Sequence, residues 1–277
     1  MEGRVDRVPF EGFVSIYDRL LAITGVIPPF FLLYLAERFE RRVREPTIAW
    51  RYRVLAAAGL ASVPIAWTER AVALLMQNAS EPLLTLFEAF VVAALIEEGG
   101  KFLCLVVLTR SALAPRTRYG AFLYALHASM GFAMVENVIA MLKVPDLEAF
   151  TTRWVLRAYM TVPMHMVAGG VLGYLWARRV FDRGPVGLFG GLAIAVLIHG
   201  AYDAMLLAVE RLPAEYGTLH VACAAGAMSI PALGLIALRV QAGRLRRLDW
   251  EEDARHPARG RRITAPGTVD APQPPLE

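Results

Sequence analysis

Residues 83–108 read LLTLFEAFVVAALIEEGGKFLCLVVL. The run is long and apolar enough to cross a bilayer as a helix, which needs about 20 mainly apolar residues. Its centre does not suit a passive span. Glu97 and Glu98 stand side by side there, and Lys101 follows one helical turn later. One ionised residue at mid-helix costs about 2.5–3.5 kcal/mol on insertion scales. An acidic pair at that depth marks a functional site, and its partners are to be sought on other spans.

The rest of the chain has the same character. Its 277 residues are 56% hydrophobic, with a mean hydropathy of +0.45. That excludes an ordinary soluble domain. Six further runs, near 16–36, 54–76, 119–142, 155–177, 186–209 and 218–240, complete an expected set of about seven transmembrane helices. The expected fold is an all-α polytopic membrane protein with a polar site enclosed by spans three to six. Glu69 and Arg70 interrupt the second span, and Pro28, Pro29 and Pro64 are expected to kink their helices. No early apolar run ends in a small-residue cleavage site, so the first span reads as a retained anchor. Cys104 and Cys223 lie in separate spans and read as small apolar fillers, with no disulfide framework.

Charge orders the chain along its length. Arginines gather in loops 37–53, 109–118 and 178–185 and at the start of the tail, while the intervening loops are poorer in Lys and Arg. Every second loop is basic, so the positive-inside rule puts the N-terminus outside and the C-terminus in the cytoplasm of a cell-membrane protein. The net charge of +4 is spent beside membrane spans, which argues against nucleic acid as a partner. Three regions follow: an N-terminal segment with the first span and a basic loop (1–53), a membrane-embedded helical domain (54–240) with its motif core at 83–209, and a polar tail (241–277) expected to be disordered.

Ionisable residues recur at depth on successive spans. Glu88, Glu97, Glu98 and Lys101 are on the third, Glu136 and Asn137 on the fourth, His165 on the fifth, and His199 and Asp203 on the sixth. If the six carboxylate and ammonium groups faced lipid in charged form, the cost would be about 15 kcal/mol, comparable to the whole stability of a typical protein. They must face one another or water. Helical spacing supports convergence, because Glu97 and Lys101, His199 and Asp203, and Phe132 and Glu136 each lie four residues apart on one face. Gly99, Gly100, Gly169, Gly170 and Gly173 are expected to let helices approach closely. Glu136 and Asp203 lie roughly 8 Å beyond mid-span in the outward direction, so the site is expected to open toward the outer half of the membrane. His127 is out of phase with Glu136 and faces away. Tyr202 fits the site or the core equally well.

The ordered set E97-E98-G-G-K101, G131-F132-A-M-V-E136-N137, H165-M-V-A-G169 and H199-G200-A-Y202-D203 resembles the PrsW family of intramembrane proteases, within the wider CAAX-protease superfamily. The resemblance covers residues 97–203. The CAAX branch tends to have His where Glu136 stands and Asn where Asp203 stands, so the chain is more similar to the PrsW branch.

The resemblance implies a glutamate-dependent, membrane-embedded endopeptidase that cuts membrane-anchored proteins, anti-sigma factors among them. It implies Glu97 as general base, Lys101 as the group keeping a neighbouring carboxylate ionised, and Glu98 as partner of Lys101 or orienter of Glu97. His199 would hold the water or donate to the oxyanion, oriented by Asp203, with His165 and Asn137 as further oxyanion donors. Glu136 is an acid partner, a water positioner or a metal ligand. No metal is expected, and there is no HExxH helix. A zinc variant would use Glu136, His165, His199 and Asp203. Two other readings share these residues: a proton- or ion-coupled carrier, and a catalytically silent homologue that binds membrane proteins.

Overall fold

The computed structural model describes residues 16–38, 48–110 and 115–255. Among them there are helices and no strands, as expected for backbone that must satisfy its own hydrogen bonds in lipid. The helices are α1 (Ile16–Ile23), α2 (Ile27–Arg38), α3 (Ile48–Ala73), α4 (Glu81–Phe87), α5 (Ile96–Leu108), α6 (Arg118–Met141), α7 (Leu147–Leu156), α8 (Val162–Asp182), α9 (Leu188–Arg211) and α10 (Gly217–Arg255). A 3₁₀ turn, Thr24–Val26, joins α1 to α2 just before Pro28 and Pro29. A π-helical stretch, Glu88–Leu95, joins α4 to α5, and another, Arg157–Thr161, joins α7 to α8. Grouped by continuity, these make seven rods.

Five rods are long and apolar enough to cross a membrane: Arg19–Arg38, Arg118–Met141, Leu147–Asp182, Leu188–Arg211 and Gly217–Arg255. The two outside that set are the rods interrupted by charge, α3 with Glu69 and Arg70, and α4–α5 with Glu88, Glu97, Glu98 and Lys101. The chain is an all-α membrane protein. Its outer faces carry large exposed apolar side chains, among them Leu60 at 75% and Phe189 at 77% exposure, as a surface in contact with lipid does.

The centre of the bundle is α6, buried on all sides from Arg118 to Ala133. A helix apolar all round has to be enclosed by others, and the main neighbours of α6 are α3 and α8. Small residues set these approaches. A Cβ on Gly131 would lie 2.1 Å from the Leu55 carbonyl oxygen on α3, and one on Gly169 would lie 2.5 Å from Ser129 Cβ. Gly99 differs from the expectation, since a Cβ there meets nothing within 4 Å, so this glycine closes against no helix. Gly131→Ala is expected to destabilise the protein by about 1–3 kcal/mol, because its obstacle is rigid backbone. A lowered unfolding midpoint in detergent checks this.

The tail departs from expectation over residues 241–255, where α10 continues as helix to Arg255. The reason is a seam along one side: Leu238, Leu245 and Asp249, seven and four residues apart, are all buried. The Asp249 carboxylate accepts from the backbone N–H groups of Arg118 at 3.0 Å and Tyr119 at 2.9 Å, which caps the first turn of α6. Arg118 pairs with Asp182, Asp249 and Glu252, tying α6, α8 and α10 together. The expectation of disorder for the rest of the tail, and the basic loop residues Arg41, Arg42 and Arg44, lie outside the described residues.

Candidate active site

α5 builds the core of the site through its own periodicity. Lys101 lies three and four residues after the two glutamates, so both carboxylates reach one ammonium. Lys101 Nζ donates to Glu98 Oε1 at 2.7 Å and to Glu97 Oε2 at 3.1 Å. It also lies 3.1 Å from His165 Nδ1 on α8 and 4.1 Å from the Phe132 ring centroid on α6. The three partners take all three ammonium protons.

That arrangement assigns a tautomer. An ammonium cannot accept a hydrogen bond, so His165 Nδ1 is the acceptor and the ring proton sits on Nε2. His165 Nε2 then donates to Glu136 Oε2 at 2.9 Å. Ser129 Oγ holds the His165 carbonyl at 2.6 Å, beside the close approach at Gly169. On α9, His199 lies between two carboxylates, with Nδ1 2.9 Å from Glu98 Oε1 and Nε2 3.1 Å from Asp203 Oδ2. The His165 and His199 rings meet edge to face at 5.1 Å.

Glu97, Glu98, Lys101, Glu136, His165, His199 and Asp203 therefore come together from four rods. Asn137 does not join them. Its Nδ2 donates to the Gly25 carbonyl at 2.9 Å and its Oδ1 accepts from Arg157 Nε at 2.6 Å, so its amide ties the first rod to Arg157 and faces no reacting group. Tyr202 belongs to the core, buried with its hydroxyl 3.1 Å from Thr161 Oγ1. His127 packs away from the site against Glu37 and Leu123. Glu88 pairs with Arg211.

The two glutamates differ. Glu98 is 1% exposed, and its Oε1 receives both Lys101 and His199. Glu97 is 7% exposed, and among the described residues its one hydrogen bond is with Lys101, with His199 Nε2 at 3.9 Å and His165 Nδ1 at 4.0 Å from its Oε2. Glu97 is the less engaged carboxylate of the pair.

Two residues were not singled out for the site in the sequence. Arg157 pairs with Glu136 Oε1 at 2.6 Å and so holds the carboxylate that holds His165. Its signal was an arginine inside the fifth apolar run, the same kind of anomaly as Glu97. It sits in the π-helical stretch just before Pro163, whose missing N–H interrupts the regular ladder. Glu69 on α3, read as an interruption of a span, places a buried Oε1, without a hydrogen-bond partner among the described residues, beside the cavity that reaches Asp203.

The donors suit a metal differently from the expected set. Glu97, Glu98, His165 and His199 each offer one ligand atom, all within 4.8 Å of one another. Glu136 and Asp203 sit instead on the outer nitrogens of the two histidines, the usual place of a carboxylate that orients a ligating imidazole.

An all-helical membrane bundle with a buried carboxylate–histidine centre defines the class: a membrane-embedded enzyme. Residues 46–230 match the family described as PrsW family intramembrane metalloprotease. The chain belongs to this family and is a membrane-embedded protease. Relatives named Protease PrsW include those of Clostridioides difficile (strain 630), 28% identical over 69% of this chain and 81% of that protein, and Shouchella clausii (strain KSM-K16), 32% identical over 43% and 54%. That of Bacillus subtilis (strain 168) is 27% identical over 45% of this chain and 56% of its own. No solved structure matches the chain.

Proposed function

We propose that the protein cleaves membrane-anchored proteins, anti-sigma factors among them, with Glu97 as general base. The observation that carries the choice of Glu97 is the collapse of Lys101, His165 and His199 around one of its oxygens, within 4.0 Å. Glu97 takes the proton of the attacking water. His199, with Nε2 3.9 Å from Glu97 Oε2 and 3.1 Å from Asp203 Oδ2, would share its Nε2–H between Asp203 and the developing oxyanion. Glu98 and Asp203 hold that ring, and Arg157 acts through Glu136 to hold His165. Co-expression with single-span membrane proteins, comparing wild type with Glu97→Gln by proteomics, tests the reading.

The charge pattern of the loops supports a cell-membrane protein with its N-terminus outside. In that orientation the cavities beside the site, lined by Ala73, Glu88, Asp146, Arg157 and Glu210, open at the outer end of the bundle.

The donor set fits a divalent cation such as zinc: two imidazoles, two carboxylates and outer carboxylates on both rings. Glu97, Glu98, His165 and His199 would hold it. Bound there, it would act as a Lewis acid on the scissile carbonyl and make a water more acidic. Lys101 competes for the same place, since its ammonium is bound to three of the four donors. An ammonium and a divalent cation at about 4 Å repel by about 8 kcal/mol at an effective dielectric of about 20. Lys101→Met is therefore expected to bind zinc at least about tenfold more tightly than wild type, and His165→Ala to lose that gain. Competition against a chromophoric chelator measures both.

A further inference from the structure

Beside the site, α3, the π-helical stretch 88–95 and α9 border an open cleft of about 410 Å³. Asp203 lines it, and the Asp203 carboxylate holds His199 Nε2 at 3.1 Å. Ala73, Val92, Leu206 and Leu207 give it apolar walls. Four carboxylates line it, from Glu69, Glu88, Asp203 and Glu210, and among the described lining residues Arg70 is the one cation. Glu88 is already neutralised by Arg211. Glu69 is not satisfied: its Oε1 is buried and has no hydrogen-bond partner among the described residues. A buried polar atom left without a partner costs about 1–3 kcal/mol and calls for a donor.

We infer that this cavity is a specificity pocket that receives a basic side chain of the substrate, with Glu69 as its acceptor. The inference rests on the protease reading. Charge selects the occupant. Asp203 is engaged by His199, which leaves Glu69 and Glu210 sharing the lining with one guanidinium, so an incoming lysine or arginine is attracted, while an acidic side chain is repelled. Shape agrees, because an apolar-walled cavity with carboxylates suits a long aliphatic stem that ends in a cation. Position follows from Asp203. The pocket touches a residue bonded to His199, so its occupant belongs within a few residues of the scissile bond. Glu69 is then a substrate-positioning carboxylate on α3, separate from the centre built by α5, α6, α8 and α9.

The test uses the full chain in nanodiscs and single-span Leu/Ala peptides with a photoreactive group and one Arg, Gln or Glu at successive positions of the outer flank. Crosslinked fraction reports binding, and cleavage is followed in parallel for wild type and Glu97→Gln. The expected result is about tenfold better capture of the Arg peptide than the Gln peptide by wild type, at one or two positions. The preference should vanish in Glu69→Gln and turn toward the Glu peptide in Glu69→Lys. Equal capture by wild type, or a preference unchanged in Glu69→Gln, overturns the pocket. Equal cleavage by wild type and Glu97→Gln counts instead against the assigned base, whatever the capture pattern.

Discussion

Glu97→Gln is expected to lower cleavage of a membrane-anchored substrate by about 10²–10⁴-fold, the usual worth of a positioned general base. Glutamine keeps the size of the side chain and one oxygen that can accept from Lys101, but it cannot take a proton from water. Fold is expected to survive, because Lys101 retains Glu98 at 2.7 Å and His165 Nδ1 at 3.1 Å. The measurement is cleaved fraction against time in co-expressing cells, with the unfolding midpoint of purified protein as control. Cleavage within a few-fold of wild type would remove Glu97 from the role of base. The same substitution bears on the carrier reading, in which substrate cleavage is not involved and proton or ion flux into liposomes is what falls.

Glu98→Ala is expected to act on stability first. Its Oε1 receives both Lys101 and His199, and the group is buried. Removing one partner of a buried charge network leaves the others uncompensated, which costs about 3–5 kcal/mol. The expected observation is a much lower unfolding midpoint or poor recovery from the membrane, in contrast to Glu97→Gln. Glu98→Gln should fall between the two, since it keeps an acceptor but loses the charge. If Glu98→Ala left the midpoint unchanged, the division of labour between the two glutamates would be wrong. The pair is adjacent in sequence and unequal in three dimensions, because successive residues on a helix point about 100° apart. Glu98 therefore takes direct hydrogen bonds from both Lys101 and His199, and Glu97 takes one from Lys101 with the two histidines at 3.9–4.0 Å.

Much of the site was legible in the chain because its signals are local. An ionisable group within an apolar run stands out whatever surrounds it, and spacings of three and four residues set shared faces on one helix. Glu97 with Lys101, and His199 with Asp203, were readable in this way, and the structure brings both pairs into contact. Asn137 shows the limit. It lies next to Glu136 in the chain, yet its amide is engaged by Gly25 and Arg157, on other rods. Residues 241–255 show the same limit for fold. Their polar composition hid a buried seam whose partners, Arg118 and Tyr119, lie some 130 positions earlier.

The amino-acid sequence by itself determined that this is a helical membrane protein with an acidic, histidine-bearing centre, since hydropathy, loop charge and helical period are properties of short segments. Only the tertiary structure decided which donors meet. It put Lys101 among Glu97, Glu98 and His165, gave Glu136 and Asp203 the outer nitrogens of the histidines, and brought in Arg157 and Glu69. The physical reason is that contacts between rods depend on their rotation and axial register. These are set by close approaches such as Gly131 on Leu55 and Gly169 on Ser129, between residues 76 and 40 positions apart in the chain. EEGGK announces that a polar centre exists, and the packing of four rods makes one of its two glutamates the open one.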